Sequence, residues 1–194
     1  MSTPWGRADY AKDLCEGIGS VSTPGHGGIK LNRQRNAAIP KPLRREGGWY
    51  EEDCDWAIPF FFFNADLRAV DARGVDSAES TLKEWMPHEF TAATGREVNL
   101  EESHVLREEV FYEKHRDDYI TIAAWGDWQG GVPQGMVGVC AIKGGHSRTG
   151  LAKDRGPEKY FLVPEAEYDK RDIAFVIDLT RHQEVDDFSL LGAK

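Results

Sequence analysis

The sequence predicts an α+β fold, with N-terminal and central helices packed on a C-terminal, mainly antiparallel sheet of three to five strands. Three observations predict it. Apolar residues recur at helical spacing through the middle of the chain, beginning with Tyr50, Cys54, Ala57 and Phe61. The final third changes to short runs rich in Val, Ile and aromatic residues. Gly-rich stretches too short for parallel crossovers, which need about a dozen residues and usually a helix, separate those runs and favour an antiparallel meander.

Taken in order, Asp9 to Glu16 reads as a short helix stopped by Gly17. Ile18 to Thr23 alternates apolar with small polar residues and reads as a strand. The turn residues Pro24-Gly25-His26-Gly27-Gly28 follow, then a returning strand at Ile29 to Leu31. Asn32 caps a short helix that ends before Pro40. The helix from Tyr50 keeps its acidic residues outward until Pro59 kinks or ends it, leaving Phe60 to Phe63 as an apolar anchor. Ser77 to Met86 is a second helix, capped by Ser77, with Leu82, Trp85 and Met86 on its inner face. Pro87 opens a short helix that closes at Gly95. Leu100 to His115 forms the last helix, with Val105, Leu106 and Val110 on its apolar face. Strands are expected at Tyr119 to Trp125, Met136 to Ile142, Tyr160 to Val163 and Ile173 to Leu179.

With 194 residues the chain is expected to form a single domain. Its parts would be a Gly/Pro-rich entry segment (1–50), an acidic helical part (51–118), the sheet (119–182) and a tail (183–194). A composition 40% hydrophobic and 29% charged excludes a disordered or low-complexity chain. The longest apolar run, Trp56 to Phe63, is far short of the roughly 18 residues of a membrane span. The N-terminus shows no basic-then-apolar signal segment, so a cytoplasmic location is expected. Three widely spaced cysteines, Cys15, Cys54 and Cys140, read as inert thiols in such a compartment.

The net charge of −9 is unevenly spread: +4 over residues 1–50, −11 over 51–118 and −2 over 119–194. Such a chain is repelled overall by phosphate backbones, which argues against general nucleic-acid binding. The acidic middle suits a basic partner surface, or is simply a solvated face.

Two constellations carry potential chemistry. His26, flanked by glycines on a loop, has the exposure that suits a metal ligand, a proton shuttle or an anion cradle. The structural alternative is that Gly27 and Gly28 supply positive φ in a tight turn while His26 ties the loop to the core. In Trp49-Tyr50-Glu51-Glu52-Asp53-Cys54-Asp55-Trp56, Glu51 and Asp55 would share a helix face, as would Glu52 and Asp55. Such carboxylates hold Mg2+ or Mn2+ in hydrolases when a histidine, here His26 or His115, joins them. Arg44 and Arg45 offer an internal partner for them instead. The charged stretch Glu113 to Asp118 reads as a solvated helix end. Trp128, in the Gly126 to Gly131 turn, is either an exposed binding anchor or folded back on the sheet. The chain carries no P-loop, dinucleotide fingerprint, HExxH or GxSxG, and no cofactor is expected.

With those residues in view, the chain resembles a family of uncharacterised proteins from bacteriophages and mobile elements of bacteria, a domain of unknown function. The resemblance is carried by Thr3-Pro4-Trp5-Gly6, Ser22-Thr23-Pro24-Gly25-His26-Gly27-Gly28, the Trp49 to Ala57 segment, Phe161-Leu162-Val163-Pro164 through Tyr168, and Phe175-Val176-Ile177-Asp178. It spans Thr3 to about His182 and brings no established activity with it.

The resemblance implies a phage or integrated element as source and a bacterial host cytoplasm as setting. In that setting the leading reading is an accessory protein rather than an enzyme. It would bind and inhibit a host defence complex, of the anti-CRISPR or antirestriction type. Its partner would be a host protein or nucleoprotein with a basic surface, met by Glu101, Glu102, Glu108, Glu109 and Trp128. The second reading is a metal-dependent hydrolase or nuclease using His26 with Glu51, Glu52 and Asp53. The third is an accessory protein of phage DNA metabolism or assembly.

Overall fold

A computed structural model describes residues 1–145 and 156–186. The chain divides into two compact units, Met1–Leu106 and Arg107–Lys194. Among the described residues, no helix is long and apolar enough to cross a membrane.

The N-terminal unit opens with a two-stranded ribbon, β1 (Ser2–Thr3) and β2 (Gly6–Arg7). A four-stranded antiparallel sheet follows, in the order β3 (Tyr10–Cys15), β4 (Ile18–Ser22), β5 (Gly27–Leu31) and β6 (Trp49–Glu51). Between β5 and β6 lies α1 (Arg33–Ala38), capped by the Asn32 side chain on the Arg35 amide as its sequence predicts. After β6 come α2 (Ala57–Phe62), α3 (Asn64–Leu67), α4 (Ala72–Trp85) and α5 (Pro87–Thr94). The last of these is opened by Pro87 and closed by left-handed Gly95.

Ile18, Ile29, Leu31 and Tyr50 from the sheet share one core with Ala57, Ile58, Leu67, Ala78, Leu82 and Phe90 from the helices. That cluster overturns the predicted architecture. The helices do not precede a single C-terminal sheet; the fold mixes α and β, and among the described residues three sheets are spread along the chain.

The difference has local causes. Tyr10–Cys15 is a strand, not the predicted helix, and Gly17 (φ +78°) turns the chain into β4. Pairing with β4 outweighs the helical propensity of its Ala, Lys and Leu. Tyr50 and Glu51 likewise sit in β6, and the helix starts only at Ala57. Pro59 therefore falls in the first turn of α2, where its missing N–H costs little, and the helix runs on to Phe62. α4 begins well before Ser77, because the Asp71 carboxylate caps the Gly74 amide. Trp85 is 42% exposed rather than inner.

At the boundary between the units, a turn of 3-10 helix (Leu100–Glu102) is separated by Ser103 from α6 (His104–Lys114), and Val110 is 54% exposed. The C-terminal unit has a four-stranded antiparallel sheet ordered β10–β9–β8–β7. β7 (Tyr119–Trp125), β8 (Met136–Lys143) and β9 (Lys159–Pro164) match the predicted runs. A short α7 (Glu165–Tyr168) follows, and β10 is Gln183–Val185. The predicted strand at Ile173 to Leu179 is only an extended segment. It makes one bridge, Ile120 to Val176, with Phe175 and Ile177 buried against Val139, Phe161 and Val163. Most of the predicted Gly144 to Gly156 connection lies outside the described residues.

Candidate functional site

β5 and β6 pair with Gly28 opposite Glu51, and the ladder continues as the Glu52 amide donates to the Gly27 carbonyl at 3.1 Å. His26 stands at the adjoining end of the β4–β5 hairpin. Its amide donates to Thr23 Oγ1 (3.1 Å), and its carbonyl accepts from the Thr23 amide (2.7 Å) and hydroxyl (2.9 Å). These bonds close the loop through Thr23 and engage the His26 amide. The ring is free of the core, with its side chain 58% exposed.

This register brings His26, Glu51 and Glu52 together. One potential ligand atom from each lies within 4.8 Å of the other two, and among the described residues no other trio of such side chains meets that condition. His26 Nδ1 is 3.5 Å from Glu51 Oε1. Glu51 Oε2 accepts from the Asp53 amide at 2.8 Å, which fixes the carboxylate and leaves Oε1 facing the imidazole. Asp53 supplies only its backbone: its exposed side chain is not part of the trio. Asp55 is bound instead by Arg45, through Nε (2.8 Å) and Nη2 (2.7 Å), so the internal arginine partner is real. That bond, more than any other influence, holds the Arg45 guanidinium above its usual range.

The two glycines after His26 are strand residues, and neither has positive φ. What they supply is space. A Cβ on Gly27 would collide with the Glu52 carboxylate, and one on Gly28 would collide with the Tyr50 carbonyl and lie 2.6 Å from the Trp5 ring. Trp5 in turn packs edge-on against Trp49, with ring centroids 5.8 Å apart.

Glu52 also lines a cleft of about 400 Å³ bounded by Ser20, Ser22, Gly27, Trp56 and Asp71. Sequence reading missed Trp56 and Asp71 as wall residues. The signal for Asp71 was its place three residues before Gly74, the spacing of a helix cap.

One histidine and two carboxylates are a hard, oxygen-rich donor set suited to Mn2+, Mg2+ or Zn2+. Donors around one such ion lie about 2.0–2.2 Å from it, so the trio would have to draw closer to hold one. His26, Glu51 and Glu52 would hold such an ion, which would supply Lewis-acid polarisation and a more acidic bound water.

The predicted acidic face is differently placed. Glu101 is exposed, but Glu102 is engaged by Lys83 (2.6 Å) and by the Asn99 amide (3.1 Å) in a capping box. Lys83 holds the Glu102 carboxyl below its ordinary range. Glu108 and Glu109 lie half-buried on α6, in the C-terminal unit, so the four acids divide between the two units. Trp128 is 75% exposed at the tip of the β7–β8 connection, with its indole against Gly126. Other carboxylates of the middle segment carry internal cations: Asp66 with Arg35, Asp76 with Arg68, and Glu79 with Arg96 and Lys83. Among the described residues no disulfide joins the cysteines, and burial pushes the Cys15 thiol up, away from reactivity.

A family model described as a domain of unknown function, DUF7007, matches residues 1–116. That is shorter than the Thr3 to His182 span of the expected resemblance. No curated protein and no solved structure matches the chain.

Proposed function

We propose, for a chain that belongs to the DUF7007 family, that His26, Glu51 and Glu52 hold a divalent cation and that the protein is a metal-dependent hydrolase. The observation that carries this reading is the convergence of the three donor atoms within 4.8 Å of one another. Glu52 adds to it by belonging both to the trio and to the adjoining cleft, where a substrate would reach an ion-bound water. The role given to Asp53 at the sequence level narrows to fixing Glu51 through its amide.

The test is hydrolysis of an activated phosphodiester and an activated carboxylic ester with Mn2+, Mg2+ or Zn2+ added. Metal-dependent turnover abolished in His26→Ala, with unchanged melting temperature, is the expected result. Turnover of neither substrate with any metal, or turnover unaffected by His26→Ala, contradicts it.

A second reading is favoured by the −11 balance of residues 51–118 together with the 75% exposure of Trp128. On it the protein is a phage or mobile-element accessory protein that docks on a basic host defence complex and inhibits it. Replacing Glu101, Glu108 and Glu109 by lysine should then abolish capture of a host partner that high salt also releases. Capture that survives both treatments would contradict this reading.

A further inference from the structure

The N-terminal unit has a second cleft, of about 440 Å³, towards the far end of β5 from His26. Its walls include Lys30, Asn32, Arg33, Asn36, Arg44 and Gly47, and among the described residues no Asp or Glu lines it. Three cations, Lys30, Arg33 and Arg44, therefore share one cleft in a chain of net charge −9. Elsewhere in the same unit, Arg35, Arg45, Arg68 and Arg96 each meet a carboxylate.

The three cationic side chains of the cleft are held by neutral groups or stand open. The Lys30 ammonium donates to the Gly47 carbonyl and lies 4.4 Å from the centre of the Trp49 ring. Its pKa is lowered by burial, a cost that no neighbouring anion offsets. Arg44 donates from Nε to the Ile39 carbonyl and from Nη2 to the Ala37 carbonyl, both at 2.8 Å, which orients the guanidinium and leaves Nη1 available. Arg33 is exposed at the start of α1 and makes no ion pair among the described residues. Orienting Lys30 and Arg44 with neutral acceptors fixes their geometry without cancelling their charge, which is how an anion site is prepared in advance.

We propose that this cleft binds a phosphate-bearing anion, with Arg33 as a forked donor, Arg44 donating through Nη1 and Lys30 as a point charge. The site is separate from the His26 trio and does not depend on metal binding there. A nucleotide and free inorganic phosphates share this chemistry, and the volume lies within the range of small-ligand pockets.

The experiment is calorimetric titration of the full chain, at low ionic strength, with pyrophosphate and separately with a nucleoside monophosphate. Arg33→Ala and Lys30→Gln are titrated beside it, with melting temperatures as the folding control. The expected result is saturable binding weakened about tenfold in each variant, the loss of one charge-assisted contact. Tighter binding of the nucleotide identifies a nucleotide site, and equal or tighter binding of pyrophosphate identifies a phosphate site. Absence of saturable binding of either ligand would overturn the proposal. So would binding equally strong in Arg33→Ala, whose exposed side chain can be removed without disturbing the core.

Discussion

Nδ1 of His26 stands 3.5 Å from Oε1 of Glu51, brought there by the antiparallel pairing of β5 with β6 rather than by nearness in the chain. The glycines that follow His26 make that pairing possible, because a side chain at either position would occupy space already taken by Glu52, by Tyr50 or by Trp5.

The two glycines should respond differently to alanine. At Gly28 the colliding atom is the Tyr50 backbone carbonyl, which cannot move without disturbing the ladder. Gly28→Ala is therefore expected to cost about 1–3 kcal/mol by denaturant unfolding. At Gly27 the main obstacle is the end of the flexible Glu52 side chain. Gly27→Ala should cost less stability and should weaken metal binding by turning Glu52 away.

A partly buried polar linkage ties α1 to β6. The Tyr50 hydroxyl donates to Asn36 Oδ1 at 2.6 Å, while Asn36 Nδ2 donates to the Arg45 carbonyl at 3.0 Å. Burial pushes the Tyr50 phenol above its usual range, so it remains a neutral donor. Tyr50→Phe removes one partner and leaves the other unsatisfied, for an expected loss of about 1–3 kcal/mol. A loss no larger than that of an exposed Tyr→Phe change would show that the bond contributes nothing.

Acid should weaken the Lys83 cluster. Arg96 holds the Glu79 carboxyl low, and Lys83 does the same for Glu102. Groups with depressed folded pKa values contribute stability that is fully present above the unfolded value of about 4.3 and is lost as pH falls through the folded value. The stability difference between the wild type and Lys83→Met should thus be largest near neutral pH and shrink below about pH 4.3. A difference constant from pH 7 to pH 3 would show that these contacts carry no charge-dependent stability.

The helix caps were partly legible in the sequence and partly not. Asn32 and the Pro87 to Gly95 pair announce α1 and α5 through residue types that only those positions favour. Asp71 was hidden because Ser77, a residue of equal capping preference, stands further along the same helix with its hydroxyl bonded back to Arg73. Asp71→Ala should cost about 1 kcal/mol, against little change for Ser77→Ala, when thermal unfolding of the two is compared.

The same contrast runs through the fold. β4, β5, β7, β8 and β9 were readable because alternation and Val/Ile content agree with their pairing. Tyr10–Cys15 and Trp49–Glu51 were not: the first has helix-favouring Ala, Lys and Leu, and the second lies at the start of the helical spacing Tyr50, Cys54, Ala57 and Phe61, yet both become strands through their pairing partners. Placing Glu51 on a helix paired it on paper with Asp55, whereas the structure gives Asp55 to Arg45 and Glu51 to His26. His26, Glu51 and Glu52 could be named from residue type, but their convergence depends on strand register.

The most direct test of the central claim is titration of Mn2+ into the full chain, followed by calorimetry and by relaxation broadening of the His26 ring signals. One ion per chain is expected, with those signals broadened first. His26→Ala and Glu51→Gln should each weaken binding at least by the roughly 10–100-fold that the loss of a supporting contact costs a metal site. Saturable binding that leaves the His26 signals sharp, or no saturable binding at all, would contradict the account.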